Sequence, residues 1–357
     1  MTGLADRLAA RTLELVDIPS ESLREAEIRA RVRGLVPAAF APVFEGEDAF
    51  LWSCQRRPGA PLVVLAGHYD TVPAQENVPG RIETGAVHGC GASDMKSGVA
   101  VAIELVRDLA DQEPGPIDLA LLLFGKEELP PDFSPLPELF ERAPLVREAD
   151  LAILLEPTDG AVQAGCVGNM NARLAFHGTS AHSARPWLGE NAIERAIEGL
   201  APIVAHERRE VVVAGLTFYE VLSVTRLEAG IADNVIPDRA VATLNFRYAP
   251  DRTPEEAAVH LRSLAPAGTE LEITGDSPPA RVAADTPLVQ ALLAAGARGI
   301  EPKQAWTNVA DFTARGIDAV NFGPGHTHYA HRRDELVQIQ ALVHAYETLR
   351  RFLTAAC

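Results

Sequence analysis

With 357 residues, of which 47% are hydrophobic and 23% charged, the chain has a globular balance and enough length for two cores. A net charge of −17 excludes the basic surface that nucleic acid or an anionic membrane demands, and an anionic substrate would have to be met by local arginines. No run has the apolar length that spans a bilayer, and residues 1–11 carry Asp6 and Arg7 where a signal peptide needs an unbroken apolar stretch, so a cytoplasmic protein is expected.

Apolar spacing predicts helices over 4–16 and 21–36, parted by the turn Asp17-Ile18-Pro19-Ser20 with Ser20 as an N-cap. A strand near 49–53 leads to residues 62–66 (LVVLA), a run short enough for a buried strand. Gly67 then frees the backbone, so that His68 and Asp70 emerge at the strand's carboxyl end. Residues 74–93 read as a polar, glycine-rich loop ending in GCGASDMKSG. A helix over 99–110, a strand over 119–124 and the segment PPDFSPLPEL follow; the prolines forbid a regular helix at the start of that segment. A strand over 151–155 runs directly into Glu156. Strands alternating with helices predict a parallel sheet.

From about residue 171 the pattern changes to a strand (172–177), a helix (191–205), two strands (219–228 and 240–248), a helix (253–264) and a strand (270–274). That β-α-β-β-α-β order is the ferredoxin-like arrangement, and it reads as a domain over 171–278 inserted into an α/β domain made of 1–170 and 279–357. A helix over 288–297, a short strand over 319–322 and a helix over 337–353 resume the α/β character. The expected fold class is α/β, a mixed, largely parallel sheet flanked by helices.

Three apolar runs of the first domain end in potential ligands: His68 and Asp70, then Glu127 and Glu128, then Glu156. If the strands are parallel neighbours, these groups converge on the sheet edge where open α/β sheets place their chemistry. Asp94 sits between glycine-rich turns just before a helix, free to reach a cation. Cys54, Cys90, Cys166 and Cys357 contain no CxxC pair, so a metal would be held by oxygen and nitrogen. The cluster has more ligands than one tetrahedral ion needs, which suggests two ions sharing a bridging carboxylate and about six protein contacts. His68, Asp94, one of the paired glutamates and Glu156 supply part of that set, and a second histidine is required.

In this order, GHYDTVP, GCGASDMKSG, the Glu127-Glu128 pair, LLEPTDG, GTSAHSARPWLGENAI, NVIPD and AHRRDE resemble the di-zinc family of aminoacylases, glutamate carboxypeptidases, acetylornithine deacetylases and desuccinylases. The resemblance spans nearly the whole chain. It implies a zinc-peptidase-like fold and two Zn2+ per subunit, with Co2+ as a substitute. By the resemblance, His68, Asp94 and Glu156 hold one ion, while Asp94, Glu128 and His331 hold the other. Glu127 is then the general base, Asp70 the partner that orients His68, and a cis peptide follows Asp94. His182, in the inserted domain, is implied to reach the active site of the partner subunit of a homodimer and stabilise the developing oxyanion. The implied reaction is hydrolysis of an N-acyl amino acid, with N-succinyl-LL-2,6-diaminopimelate the favoured substrate and N-acetylornithine the rival. A non-catalytic metal-binding relative is a reading of another class, which the intact Glu127 disfavours.

Arg185 and Arg247 are candidates to grip substrate carboxylates, because a guanidinium fork matches carboxylate geometry, and Asn234 lies in the NVIPD turn. For Arg185 a surface ion pair is an equal reading, and Asp276 and Thr307 are further possible contacts. His326 and His328 match no expected histidine position and stay open as surface residues, substrate contacts or accidental metal binders. His88, His177, His206, His260 and His344 read as structural. The chain departs from the family pattern at Lys126, where many members carry an acid, and in the proline-rich segment after Glu128.

Overall fold

The computed structural model describes residues 3–355, so Cys357 lies outside the described residues, whereas Cys54, Cys90 and Cys166 are free thiols. The chain divides into two compact units. One contains the residues up to 164, 283–301 and those from 311 on; the other contains 165–282 and 302–310.

The larger sheet has eight strands, in the order Ala41–Glu45, Ala49–Ser53, Asp118–Phe124, Leu62–His68, Leu151–Leu154, Ala319–Asn321, Val162–Cys166 and Ile300–Lys303. The strands from Asp118–Phe124 to Ala319–Asn321 are mutually parallel, while Ala41–Glu45, Ala49–Ser53 and Val162–Cys166 pair antiparallel. Every residue of Leu62–His68 and Asp118–Phe124 is buried, as parallel strands covered on both faces require. The helices Leu4–Val16, Lys96–Leu109 and Ile339–Thr354 pack on one another. Gly98 lets Lys96–Leu109 press onto the end of a strand: a Cβ there would come within 2.3 Å of the Leu155 carbonyl oxygen.

The structure departs from the expected elements where short pieces depend on tertiary partners. The second helix is Ala26–Leu35 and starts later than expected; Ser20 is buried with its hydroxyl unpartnered, and Glu25 occupies the cap position. Within 74–93, Arg81–Glu83 and Ala86–His88 form an antiparallel hairpin whose second strand pairs with Leu336–Gln338, so the last helix begins at Ile339. Three-residue strands carry no readable period, and only their partners reveal them. Among the described residues, no helix is long and apolar enough to cross a membrane.

The second unit holds an antiparallel sheet in the order Arg209–Val213, Leu216–Ala229, Arg239–Arg247, Asn169–His177 and Glu270–Ser277. The helices Ala192–Val204 and Pro254–Ser263 contribute Ala196, Leu200, Ala257 and Leu261 to a core with Leu174, Phe176, Leu244 and Phe246. Asn191 caps the first helix, and Thr253 with Glu256 forms a capping box on the second. The β-α-β-β-α-β order is present, with the edge strand Arg209–Val213 added to it. A short ribbon pairs Ala181–His182 with Val235–Ile236.

Candidate metal centre

The parallel strands deliver their last residues to one edge of the larger sheet. His68 ends its strand, 1% exposed, with its ring against Phe124. Beyond Asp118–Phe124 the chain turns at Lys126, which has φ 63°, and releases Glu127 and Glu128. The Lys126 ammonium lies 2.6 Å from Asp48 Oδ2, so the basic residue found where many family members carry an acid has its partner in this chain's own Asp48. Glu156 follows Leu151–Leu154 and is buried. The fourth parallel strand, Ala319–Asn321, leads into the segment that carries His331. Asp94 stands just ahead of the helix Lys96–Leu109, and the Asp94–Met95 peptide is cis.

Asp70 ties these elements together. Its carboxylate accepts the Ser22 hydroxyl at 2.7 Å and the backbone N–H groups of Glu127 and Glu128 at 3.1 and 3.2 Å. His68 Nδ1 lies 3.1 Å from the Asp70 carbonyl oxygen and 3.4 Å from its Oδ1, so the ring is oriented and Nε2 turns to the cluster. There His68 Nε2 is 3.3 Å from Asp94 Oδ1 and 3.9 Å from Glu127 Oε2. On the other side, His331 Nε2 is 2.9 Å from Glu128 Oε1 and 3.5 Å from Asp94 Oδ2. The two oxygens of Asp94 therefore face different histidines.

The electrostatics divide the carboxylates. Burial would raise Asp94, but hydrogen bonds from His331 and His68 outweigh it and hold the group well below the usual carboxylate range. Asp70 is lowered in the same way, burial being outweighed by His68, Ser22 and the Glu128 N–H. Glu127 goes the other way: burial, assisted by the charges of Glu156, Glu128 and Asp94 and opposed by His68, pushes it well above its ordinary value. His331, half of whose side chain is exposed, is pushed up to about 10 by Asp94 and Glu128.

This donor set fits divalent cations. One ligand atom each from His68, Asp94 and Glu128 lies within 4.8 Å of the others, and nitrogen with carboxylate oxygen suits zinc. Glu156 stands close enough for its charge to act on Glu127. His182, Arg185, Asn234 and Arg247 lie in the second unit. In the ribbon there, His182 Nδ1 accepts the Ala184 N–H at 3.0 Å, the Asn234 carbonyl accepts the Ser183 N–H at 2.9 Å, and Arg185 is exposed. Arg247 ends a strand of the sheet, half-buried, with Nε donating to Asn245 Oδ1 at 3.0 Å. His326 and His328 are exposed, and His328 Nε2 lies 3.0 Å from Arg332 Nη1.

Two residues of this region escaped the sequence reading. Glu335 is 2% exposed and accepts backbone N–H groups from the loop that carries Asp94; burial pushes it up to about 7 against those hydrogen bonds. Ser93 is buried and bridges to His326. The acid of Arg332-Arg333-Asp334-Glu335 looks like part of a solvated charge run, and its one signal was membership of the AHRRDE motif.

Residues 64–355 match the profile of peptidase family M20/M25/M40. The chain is 39% identical over 346 residues to a protein of Mycobacterium tuberculosis assigned as a succinyl-diaminopimelate desuccinylase, DapE, with 96% of each chain covered. It is 37% identical over 351 residues to the succinyl-diaminopimelate desuccinylase of Corynebacterium glutamicum, covering 96% of this chain and 95% of that one. Among solved structures, the YXEP protein of Bacillus subtilis, a dinuclear metal-binding peptidase of the M20 family, superposes with a TM-score of 0.72 at 16% identity, over 98% of this chain and 97% of that one.

If His331 is a ligand, its protonation makes metal binding pH-dependent. Its raised value means that pairing with Asp94 and Glu128 stabilises the metal-free fold fully below the ordinary imidazole value of 6.5, an effect lost as pH rises through about 10. A cation ligated by His331 must displace that proton. Chelator-competition titrations between about pH 6 and pH 8 should show affinity at that site rising about tenfold per unit, with about one proton released per ion. An affinity flat across that range would contradict ligation by His331.

Proposed function

Because the chain belongs to peptidase family M20/M25/M40, we propose that it hydrolyses the amide of N-succinyl-LL-2,6-diaminopimelate to succinate and LL-2,6-diaminopimelate. The enzyme is a hydrolase acting on an amide. The observation that carries the chemistry is that the two oxygens of Asp94 face different histidines while Glu127 stands beside them as a carboxyl group of raised pKa. The substrate reading is supported by identity over nearly the full length to proteins named for desuccinylation.

The metals of this reading are two Zn2+ per subunit, replaceable by Co2+. His68, Asp94 and Glu156 would hold one, and Glu128 and His331, with Asp94 shared, would hold the other. Bound there, divalent ions would polarise the scissile carbonyl and lower the pKa of water to about 7. Glu127 is placed to take the proton of the attacking water as the hydroxyl adds to the acyl carbon. It then passes that proton to the amine nitrogen as the C–N bond breaks. A carboxylate beside the attacking water can do both, accepting the proton in the first step and, once protonated, donating it in the second. Asp70 fixes the His68 ring and, through the Glu127 and Glu128 N–H groups, the directions in which the two glutamates leave the turn.

Arg247 is the best-founded substrate contact. Burial lowers its guanidinium, and no carboxylate pairs with it among the described residues, so a ligand carboxylate would supply the missing counter-charge. Arg185 and Asn234, beside His182, complete the substrate-binding set. The enzyme works in the cytoplasm as a homodimer in which the second unit dimerises and His182 serves the partner's active site. Support for the dimer comes from the surface of that unit: Ile197, Val204 and Leu227 are exposed, and past Glu220 the strand Leu216–Ala229 has, among the described residues, a strand neighbour on one side only.

With zinc supplied, kcat/KM for N-succinyl-diaminopimelate should exceed that for N-acetylornithine; the reverse order would replace the substrate and leave the hydrolase. Glu127→Gln should lower kcat by about 10²–10⁴-fold with metal content unchanged. Retained turnover would remove Glu127 as the base. Glu127→Gln and His182→Ala proteins, each impaired alone, should recover part of the activity when mixed as heterodimers, and no recovery would refute action across the interface.

A further inference from the structure

The segment carrying His331 and the loop carrying Asp94 are joined by hydrogen bonds that involve no ligand atom. Glu335 Oε1 accepts the N–H groups of Ser93 and Asp94 at 2.8 and 2.9 Å, and its Oε2 accepts that of Gly91 at 3.0 Å. The Glu335 carbonyl accepts the Gly89 N–H at 3.1 Å and the Asn77 side-chain amide at 3.3 Å. Ser93 Oγ accepts the His326 N–H at 2.8 Å and donates to the His326 carbonyl at 3.0 Å. The ends of the segment that presents His331 are thus each fastened to the loop that presents Asp94.

These bonds have a specific physical job. Buried backbone N–H groups need acceptors, and a glycine-rich loop has little side-chain packing to hold its course. A carboxylate that receives N–H groups on both oxygens acts as a template, because only one loop conformation aims those donors at it together. Both Glu335 oxygens are engaged this way, so the residue positions Asp94 rather than competing with it for a cation. A carboxamide of the same shape would turn an NH2 toward N–H donors and lose that role.

We propose that Glu335 and Ser93 are a positioning pair that fixes the bridging aspartate relative to His331 and thereby sets the affinity of the centre for its metals. The inference rests on the reading of Asp94 and His331 as ligands. Groups that orient ligands without touching the metal typically govern affinity by about 10–100-fold.

The test is a Co2+ titration of chelator-stripped, full-length protein followed by visible absorbance, beside thermal melting of the same metal-free samples. Wild-type protein should give a saturable Co2+ band. Glu335→Gln and Ser93→Ala should bind Co2+ about 10–100-fold more weakly and shift the band's shape. Ser93→Ala should do so with a metal-free melting curve close to wild type, which a merely structural role would not produce. If Glu335→Gln does not fold, Ser93→Ala decides, since it removes only the bridge to His326. Wild-type affinity and band shape in Ser93→Ala would overturn the proposal. Failure of the wild-type protein to bind Co2+ would instead overturn the ligand reading on which it stands.

Discussion

Carboxylates gathered at a buried sheet edge must be compensated, because an isolated charge removed from water costs several kcal/mol. In this chain Asp70, Asp94, Glu127, Glu128, Glu156 and Glu335 meet that constraint near the carboxyl ends of parallel strands, within a molecule that already carries a net charge of −17. Four of them show two ways of doing so. Asp70 and Glu335 receive backbone N–H groups, while Asp94 and Glu128 receive imidazole. His68 and His331 face these carboxylates at positions where divalent cations would supply positive charge.

The same constraint separates the roles of adjacent glutamates. Asp70 binds both backbone N–H groups, and the side chains diverge from that anchor, Glu128 toward His331 and Glu127 toward His68. Glu128 thereby gains an imidazole at 2.9 Å, while Glu127 has His68 only at 3.9 Å and feels three neighbouring carboxylates. On the proposed reading, these two environments let Glu128 serve as a ligand and Glu127 as a proton carrier. Lys126, held to Asp48 with its backbone in the left-handed region, makes the turn that sends the two side chains on separate paths.

The large buried strands were legible in the sequence because a continuous apolar run that breaks at a glycine or a charged pair fits little besides a covered strand reaching the sheet edge, as at 62–68 and 118–124. That made the convergence of His68, Glu127, Glu128 and Glu156 predictable from strand ends alone. His331 was different. It arrives by a fourth parallel strand of three residues and a loop with two other histidines, and only the motif distinguished it. Glu335 was hidden because burial is a tertiary property: an acid in a run of charges gives no sign that it faces the amides of a loop some 240 residues earlier in the chain. Ser20 failed for a similar reason, since a residue with cap chemistry caps a helix only if the helix starts beside it.

On the proposed function, this edge of the sheet holds two metal ions with Asp94 between them. Crystals grown with zinc, measured on both sides of the zinc absorption edge, test it directly. Two anomalous peaks flanking Asp94 are predicted, one against His68 and Glu156 and one against Glu128 and His331. A single peak, or two peaks that do not share Asp94, would contradict it.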